Sequence, residues 1–187
     1  MDGETFREGI FALRTRRFGS VAEYMVKRLR KYGKAKSLFH DLFDERSGRR
    51  VEVKFSTVMK KAERKVTEET VLQCIEEATA EQRLVAFPDW KRYRFDSNIQ
   101  QVKRRKFEVL YYGLFFSDCV KIFRINKSDI KTREEGGDIG YSDKQHEGNV
   151  GEGQFHLTEK NLQIHLEKYF LKTLTYDQLY QLLAAES

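Results

Sequence analysis

The stretch FHDLFDERSGRRVEVKFS, Phe39 to Ser56, decides how this chain is read. Two runs suited to strands flank Ser47-Gly48, a pair suited to a tight turn, so residues 39–56 are expected to form a β-hairpin. With Ser47-Gly48 at the centre of the turn, Phe43 stands opposite Glu52 and Asp41 opposite Lys54. Side chains alternate faces along a strand. Asp41, Glu52 and Lys54 then share one face, and Leu42, Val51, Val53 and Phe55 take the other. A slip of one residue would set Asp44 opposite Glu52 instead, because register governs which acid joins the face. The expected register is the one that brings Asp41 onto the face.

Two charged side chains on one face of an apolar strand cost free energy unless something compensates them. Two carboxylates can hold a hard divalent cation whose remaining positions go to waters and phosphate oxygens. Such a cation helps to make a hydroxide nucleophile and stabilises charge developing on a phosphate. A nearby ammonium can orient or help deprotonate the attacking water and neutralise the phosphate. The plainer alternative is an exposed hairpin with a cross-strand ion pair worth about 0–1 kcal/mol.

The charge around the hairpin suits a polyanion. The chain has 187 residues and a net charge of +6. Residues 1–60 hold 15 Lys and Arg against 8 Asp and Glu, a local +7, which leaves the remainder near −1. Arg49 and Arg50 lie within the hairpin itself and are candidate phosphate contacts. Such contacts supply much of nucleic-acid affinity, whereas an ordinary solvated basic face is the structural alternative. The length fits one domain, residues 1–187. No apolar run approaches membrane-spanning length, and Met1-Asp-Gly-Glu lacks the basic and apolar regions of a signal peptide. Cys74 and Cys119 form no metal or redox pattern and read as buried thiols of a reducing cytosol.

Outward from the hairpin, Ser20 to about Tyr32 reads as a helix with an apolar stripe of Val21, Met25 and Leu29, stopped by Gly33. Glu23 fits either a capping box with Ser20 or a supporting place at the metal site. Thr67 to Ala80 looks helical through Val71, Leu72, Ile75 and Ala78. Arg83 to Phe87 reads as a short strand. The chain then turns β-rich from Arg92 to Ile125, over 92–95, 99–102, 108–116 and 120–125. The apolar run Val109 to Phe116 suits a central strand covered on both faces. Gln100 and Gln101 fall on a strand near the site, where Gln101 could orient a water or phosphate or be a satisfied strand-end amide.

Residues 131–156 are polar, bear glycines and lack periodicity, so they read as a loop. Gln145, His146, Asn149, Gln154 and His156 are side chains able to reach base edges, or else the polar surface of an ordinary loop. Helices are expected over about 159–171 and 176–185, the second opened by a Thr175–Gln178 capping box. His165 reads as a packing or surface histidine. Together these elements predict an α/β fold, a mixed central β-sheet flanked by helices.

The hairpin resembles the core motif of the PD-(D/E)xK nuclease superfamily, with Asp41 as the first acid and Glu52-Val53-Lys54 as the ExK triplet. His40 stands where that motif usually carries proline. Phe18 to Glu23 resembles the first helix of such nucleases. Asn98 to Lys103, Phe107 to Asp118 and Gln145 to His156 are similar to segments of type II restriction endonucleases. The resemblance implies a restriction-endonuclease-like core with Asp41, Glu52 and the Val53 carbonyl binding Mg2+, or Mn2+ as its substitute, and Lys54 assisting the nucleophilic water. It also implies a cytoplasmic prokaryotic enzyme that cuts double-stranded DNA at a short specific sequence. A symmetric homodimer would match a palindromic site. The competing expectations are a structure-specific nuclease, such as a junction resolvase or repair enzyme, and a non-catalytic DNA-binding protein.

Overall fold

The structure, a computed structural model, describes residues 2–35, 40–61, 64–144 and 150–185. Helices α1 (Gly3–Ala12) and α2 (Thr15–Arg30) lead into β1 (Gly33–Lys34), β2 (Leu42–Asp44) and β3 (Arg49–Thr57). Short helices α3 (Val71–Glu77) and α4 (Ala80–Arg83), then a 3₁₀ turn over Phe87–Arg92, cross to β4 (Asp96–Val102). Strands β5 (Val109–Phe115) and β6 (Cys119–Asn126) follow, then a 3₁₀ turn over Lys127–Asp129 and strands β7 (Ser142–Lys144) and β8 (Val150–Thr158). The chain ends through α5 (Leu162–Lys168), β9 (Phe170–Thr175) and α6 (Tyr176–Ala184).

Six strands form a mixed sheet in the order β1-β2-β3-β5-β6-β9, in which only β3 and β5 run parallel. A second sheet, β4-β8-β7, is antiparallel. Every residue of β5 is buried, as its unbroken apolar run requires of a strand covered on both faces. Val109, Tyr111 and Phe115 pack with Phe18, Met25 and Val26 of α2, Ile10 of α1 and Leu179 of α6. Leu110, Tyr112 and Leu114 face the other way, towards Ile99 and Val102 of β4, Phe155 and Leu157 of β8, and Leu162. Gly113 interrupts the run because Phe55 of β3 lies over it. A Cβ there would sit 2.3 Å from the Phe55 ring and from the Lys121 carbonyl.

The hairpin forms with a register two residues from the expected one. Leu42 pairs with Val51, Phe43 with Arg50 and Asp44 with Arg49. Residues 45–48 thus make a four-residue turn, closed by Gly48 N–H donating to the Asp44 carbonyl at 2.8 Å. Gly48 supplies the left-handed conformation (φ +69°) that the turn needs. The Asp44 carboxylate accepts from Arg46 N–H at 3.1 Å and Ser47 Oγ at 2.6 Å, which two-residue turn geometry did not anticipate. A shift of two leaves every side chain on its expected face, because the pleat repeats every two residues.

Other elements depart further from expectation. The second helix starts at Thr15, and Ser20 lies inside it with its hydroxyl donating to the Arg16 carbonyl at 3.3 Å, so no Ser20–Glu23 capping box exists. The helix ends at a left-handed Lys31 (φ 56°), while Gly33 pairs with Phe43. Val71, Leu72 and Ile75 do not enter a core; α3 has no buried residue. The strand expected at 83–87 is only a bridge of Leu84 to Met59, and the one expected over 92–95 is partly a 3₁₀ turn. Residues 131–156 are not one loop, since β7 and most of β8 fall there. The helix expected over 159–171 stops at Lys168 because Phe170–Thr175 adds a sheet-edge strand. The capping box at Thr175 and Gln178 is present. Cys119 is buried and Cys74 is only partly so.

His165 is wholly buried between the sheets. Its ring stacks on Phe155, its Nδ1 lies 2.8 Å from the Tyr112 hydroxyl, and its Nε2 has no hydrogen-bond partner among the described residues. Burial lowers its pKa to about 4, below the ordinary value near 6.5. The unfolded chain therefore takes up this proton first. The contribution is complete above about pH 6.5 and lost as pH falls towards 4, on the order of 3 kcal/mol. Thermal melts across that range should show a fall in melting temperature that His165→Phe flattens.

Candidate active site

β2 accompanies β3 only as far as Val51, whose carbonyl accepts from Asp41 N–H at 3.1 Å. Beyond that point a side chain replaces the strand: Asp41 Oδ2 accepts the Val53 N–H at 2.8 Å. The N–H and C=O of one strand residue point to the same side, so the Val53 carbonyl is directed out along the edge where Asp41 sits. On the adjoining face Lys54 Nζ donates to Glu52 Oε1 at 2.7 Å and lies 3.8 Å from Asp41 Oδ2. The three side chains picked out from the hairpin thus converge. Asp44 is tied into the turn instead.

Burial sets the electrostatics. Glu52 is only 6% exposed, and burial pushes its carboxyl up to about 7 against the pull of Lys54, with Asp41 adding to the rise. Burial also disfavours the Lys54 ammonium, but Glu52 and Asp41 outweigh it and leave its pKa raised. Lys54 is therefore a persistent cation. One ammonium shared by two acids leaves a buried carboxyl incompletely compensated, a situation that a further cation relieves.

Glu23 of α2 is half-buried, and its carboxyl is raised by burial and then by Asp41, with Lys54 opposing. Its charge therefore acts on the same cluster. Among the described residues no group of three His, Cys, Asp or Glu side chains is gathered to hold one ion. Lys103, to which the sequence reading gave no role, also acts on Glu52 and pairs with Glu152 at 2.6 Å. Its position depends on packing of β4 against β3, where Ser97 Oγ donates to the Thr57 carbonyl at 2.9 Å. No local pattern signals that contact.

The remaining candidates are dispersed. Arg50 is held by Glu108, which accepts from its backbone N–H at 2.8 Å and from its guanidinium. Exposed Arg49 lines a pocket with Glu108, Arg124, Asn126, Lys127 and Ser128. Gln101 is an exposed bulge residue of β4 with φ 57°. Gln154 and His156 lie on β8 rather than in a loop. Gln145, His146 and Asn149 lie outside the described residues.

The donor set fits a hard divalent ion: the Asp41 and Glu52 carboxylates and the Val53 carbonyl are all oxygen, and the Glu52 carboxyl lacks full compensation. No helix among the described residues is long and apolar enough to cross a membrane. No protein-family model, curated protein or solved structure matches the chain.

Because the folded pKa of Glu52 lies above its ordinary value, its contribution is complete below about pH 4.5 and is lost as pH rises through about 7. Glu52→Gln keeps the neutral form at every pH. The variant should match the wild type at pH 4 and be more stable at pH 8, by roughly 3 kcal/mol. Magnesium at pH 8 should raise the wild-type melting temperature and leave the variant unmoved.

Proposed function

We propose that this protein is a Mg2+-dependent endonuclease of double-stranded DNA with a restriction-endonuclease-like core, cutting at a short specific sequence. The observation that carries the reading is the convergence of Asp41, Glu52 and Lys54 at the edge of β3, around a buried carboxyl that one ammonium compensates only in part. The basic first third of the chain supplies the field for a polyanion. A homodimer acting on a palindromic site in the cytoplasm belongs to the same reading, by analogy with the enzymes the hairpin resembles.

In this reading Asp41, Glu52 and the Val53 carbonyl hold the cation. When bound, Mg2+ lowers the pKa of water and offsets charge on the phosphate. The protein's own groups do the rest. Val53 N–H fixes the Asp41 carboxylate, so one ligand is oriented before any ion arrives. Lys54 remains protonated, which suits it to orient the attacking water and neutralise a phosphate oxygen rather than to accept a proton. The raised pKa of Glu52 makes cation binding release a proton below about pH 7. Lys103, shared with Glu152, acts on the Glu52 carboxyl from the β4 side.

Incubation with long unmethylated DNA of known sequence should yield discrete fragments with magnesium and none with EDTA. Glu52→Ala should abolish cleavage, a loss of at least about a thousandfold, with an unchanged circular dichroism spectrum. Cleavage retained by that variant, or intact DNA with every divalent metal tried, would overturn the proposal. Binding without cleavage would point instead to a DNA-binding module.

A further inference from the structure

The small sheet has one dry face and one wet one. Ser97, Ile99 and Val102 of β4 and Gly153, Phe155 and Leu157 of β8 are buried inward. The outward positions carry an unusual concentration of amides. Pairing runs from Asn98–His156 and Ile99–Phe155 directly to Val102–Gly153, so both Gln100 and Gln101 stand opposite the single residue Gln154. This is a β-bulge, and bulges re-aim side chains.

The bulge shifts the parity of β4 so that Ile99 and Val102 both reach the core, and it leaves two glutamines side by side on the outside. Gln100 and Gln101 are both exposed, and Gln101 adopts φ 57°, a conformation that a non-glycine residue takes at a cost. Asn98 Nδ2 donates to Gln154 Oε1 at 2.9 Å, while Asn98 Oδ1 is buried with no hydrogen-bond partner among the described residues. The other polar groups flanking this row are already matched, His156 Nδ1 with Asp96 at 2.5 Å and Lys103 with Glu152. What remains on β4 and β8 is a row of amides, with donors and acceptors side by side. That chemistry suits base edges rather than phosphates, since an Asn or Gln amide can pair bidentately with adenine. A β-ribbon also fits the major groove. The row adjoins the strand of the candidate active site, because Ser97 Oγ of β4 donates to the Thr57 carbonyl of β3 at 2.9 Å and Lys103, two residues beyond Gln101, acts on Glu52.

We propose that the outer face of β4 and β8 is the base-reading surface, with Gln100, Gln101 and Gln154 as specificity-determining side chains for duplex DNA and Asn98 as the residue that positions Gln154. The inference rests on the endonuclease reading and deepens it. It moves sequence recognition from a loop to a strand face.

The test uses full-length Glu52→Gln protein without added divalent metal, incubated with duplexes carrying a randomised central segment, followed by sequencing of the bound fraction. This protein should enrich one short motif. Adding Gln100→Ala and Gln101→Ala, two exposed changes that leave the core intact, should broaden the motif at one or more positions. Preference there should drop roughly tenfold, while affinity for unselected duplex and its salt dependence stay unchanged. Asn98→Ala with Gln154→Ala should broaden it in the same way. An unchanged motif in both double variants would overturn the proposal. So would a reduced salt slope, which would mark phosphate contacts, or binding by the starting protein with no enriched motif. A parallel magnesium digest with the wild-type protein separates the two ideas: fragments without an enriched motif sink the reading surface alone, whereas intact DNA sinks the endonuclease.

Discussion

Beyond Val51 the β3 edge loses its antiparallel partner, and the Asp41 carboxylate takes the next hydrogen bond, from Val53 N–H. That substitution of a side chain for a strand organises the candidate site. It holds one acid at a sheet edge, points a backbone carbonyl in the same direction, and brings Lys54 within reach of both carboxylates. Were β2 to continue along β3, the edge would be filled and Asp41 would have no such place. The four-residue turn, stabilised by Asp44 and Gly48, sets where β2 pairs and hence where it ends.

The parallel pairing of β3 with β5 provides the second constraint. It puts Glu52 beside Leu110 and Lys54 beside Tyr112, in the middle of a sheet with hydrophobic clusters on both faces. Low polarity there raises the Glu52 carboxyl and holds the Lys54 cation in place through its acids. The same sheet buries His165 on one side and opposes its charging. Acid and alkaline conditions thus act on the molecule through different groups, a buried imidazole at low pH and a buried carboxyl as pH rises through neutrality.

The central strand was legible because its pattern is local: seven consecutive apolar residues suit only a strand covered on both sides. The shared face of Asp41, Glu52 and Lys54 was legible for a related reason, since parity survives a two-residue error in register. The capping box at Thr175 and Gln178 is likewise local. Where the reading failed, distant contacts decide. Residues 170–175 become a strand by pairing with β6, and Gln154 and His156 join a strand by pairing with β4. The stripe on α3 has the spacing of a buried face and remains exposed, because periodicity records amphipathicity and not what lies opposite.

The amino-acid sequence by itself determined the alternating faces of the hairpin, the apolar character of the central strand and the excess of positive charge in the first third, since each depends on neighbours a few positions apart. Only the tertiary structure decided that Glu52 is buried enough to hold its proton near neutrality, that Lys103 lies in its field, and that the amides of β4 and β8 share one outer face. Those properties depend on desolvation and on strand pairing between residues up to about sixty positions apart. Neither leaves a periodic trace in the chain.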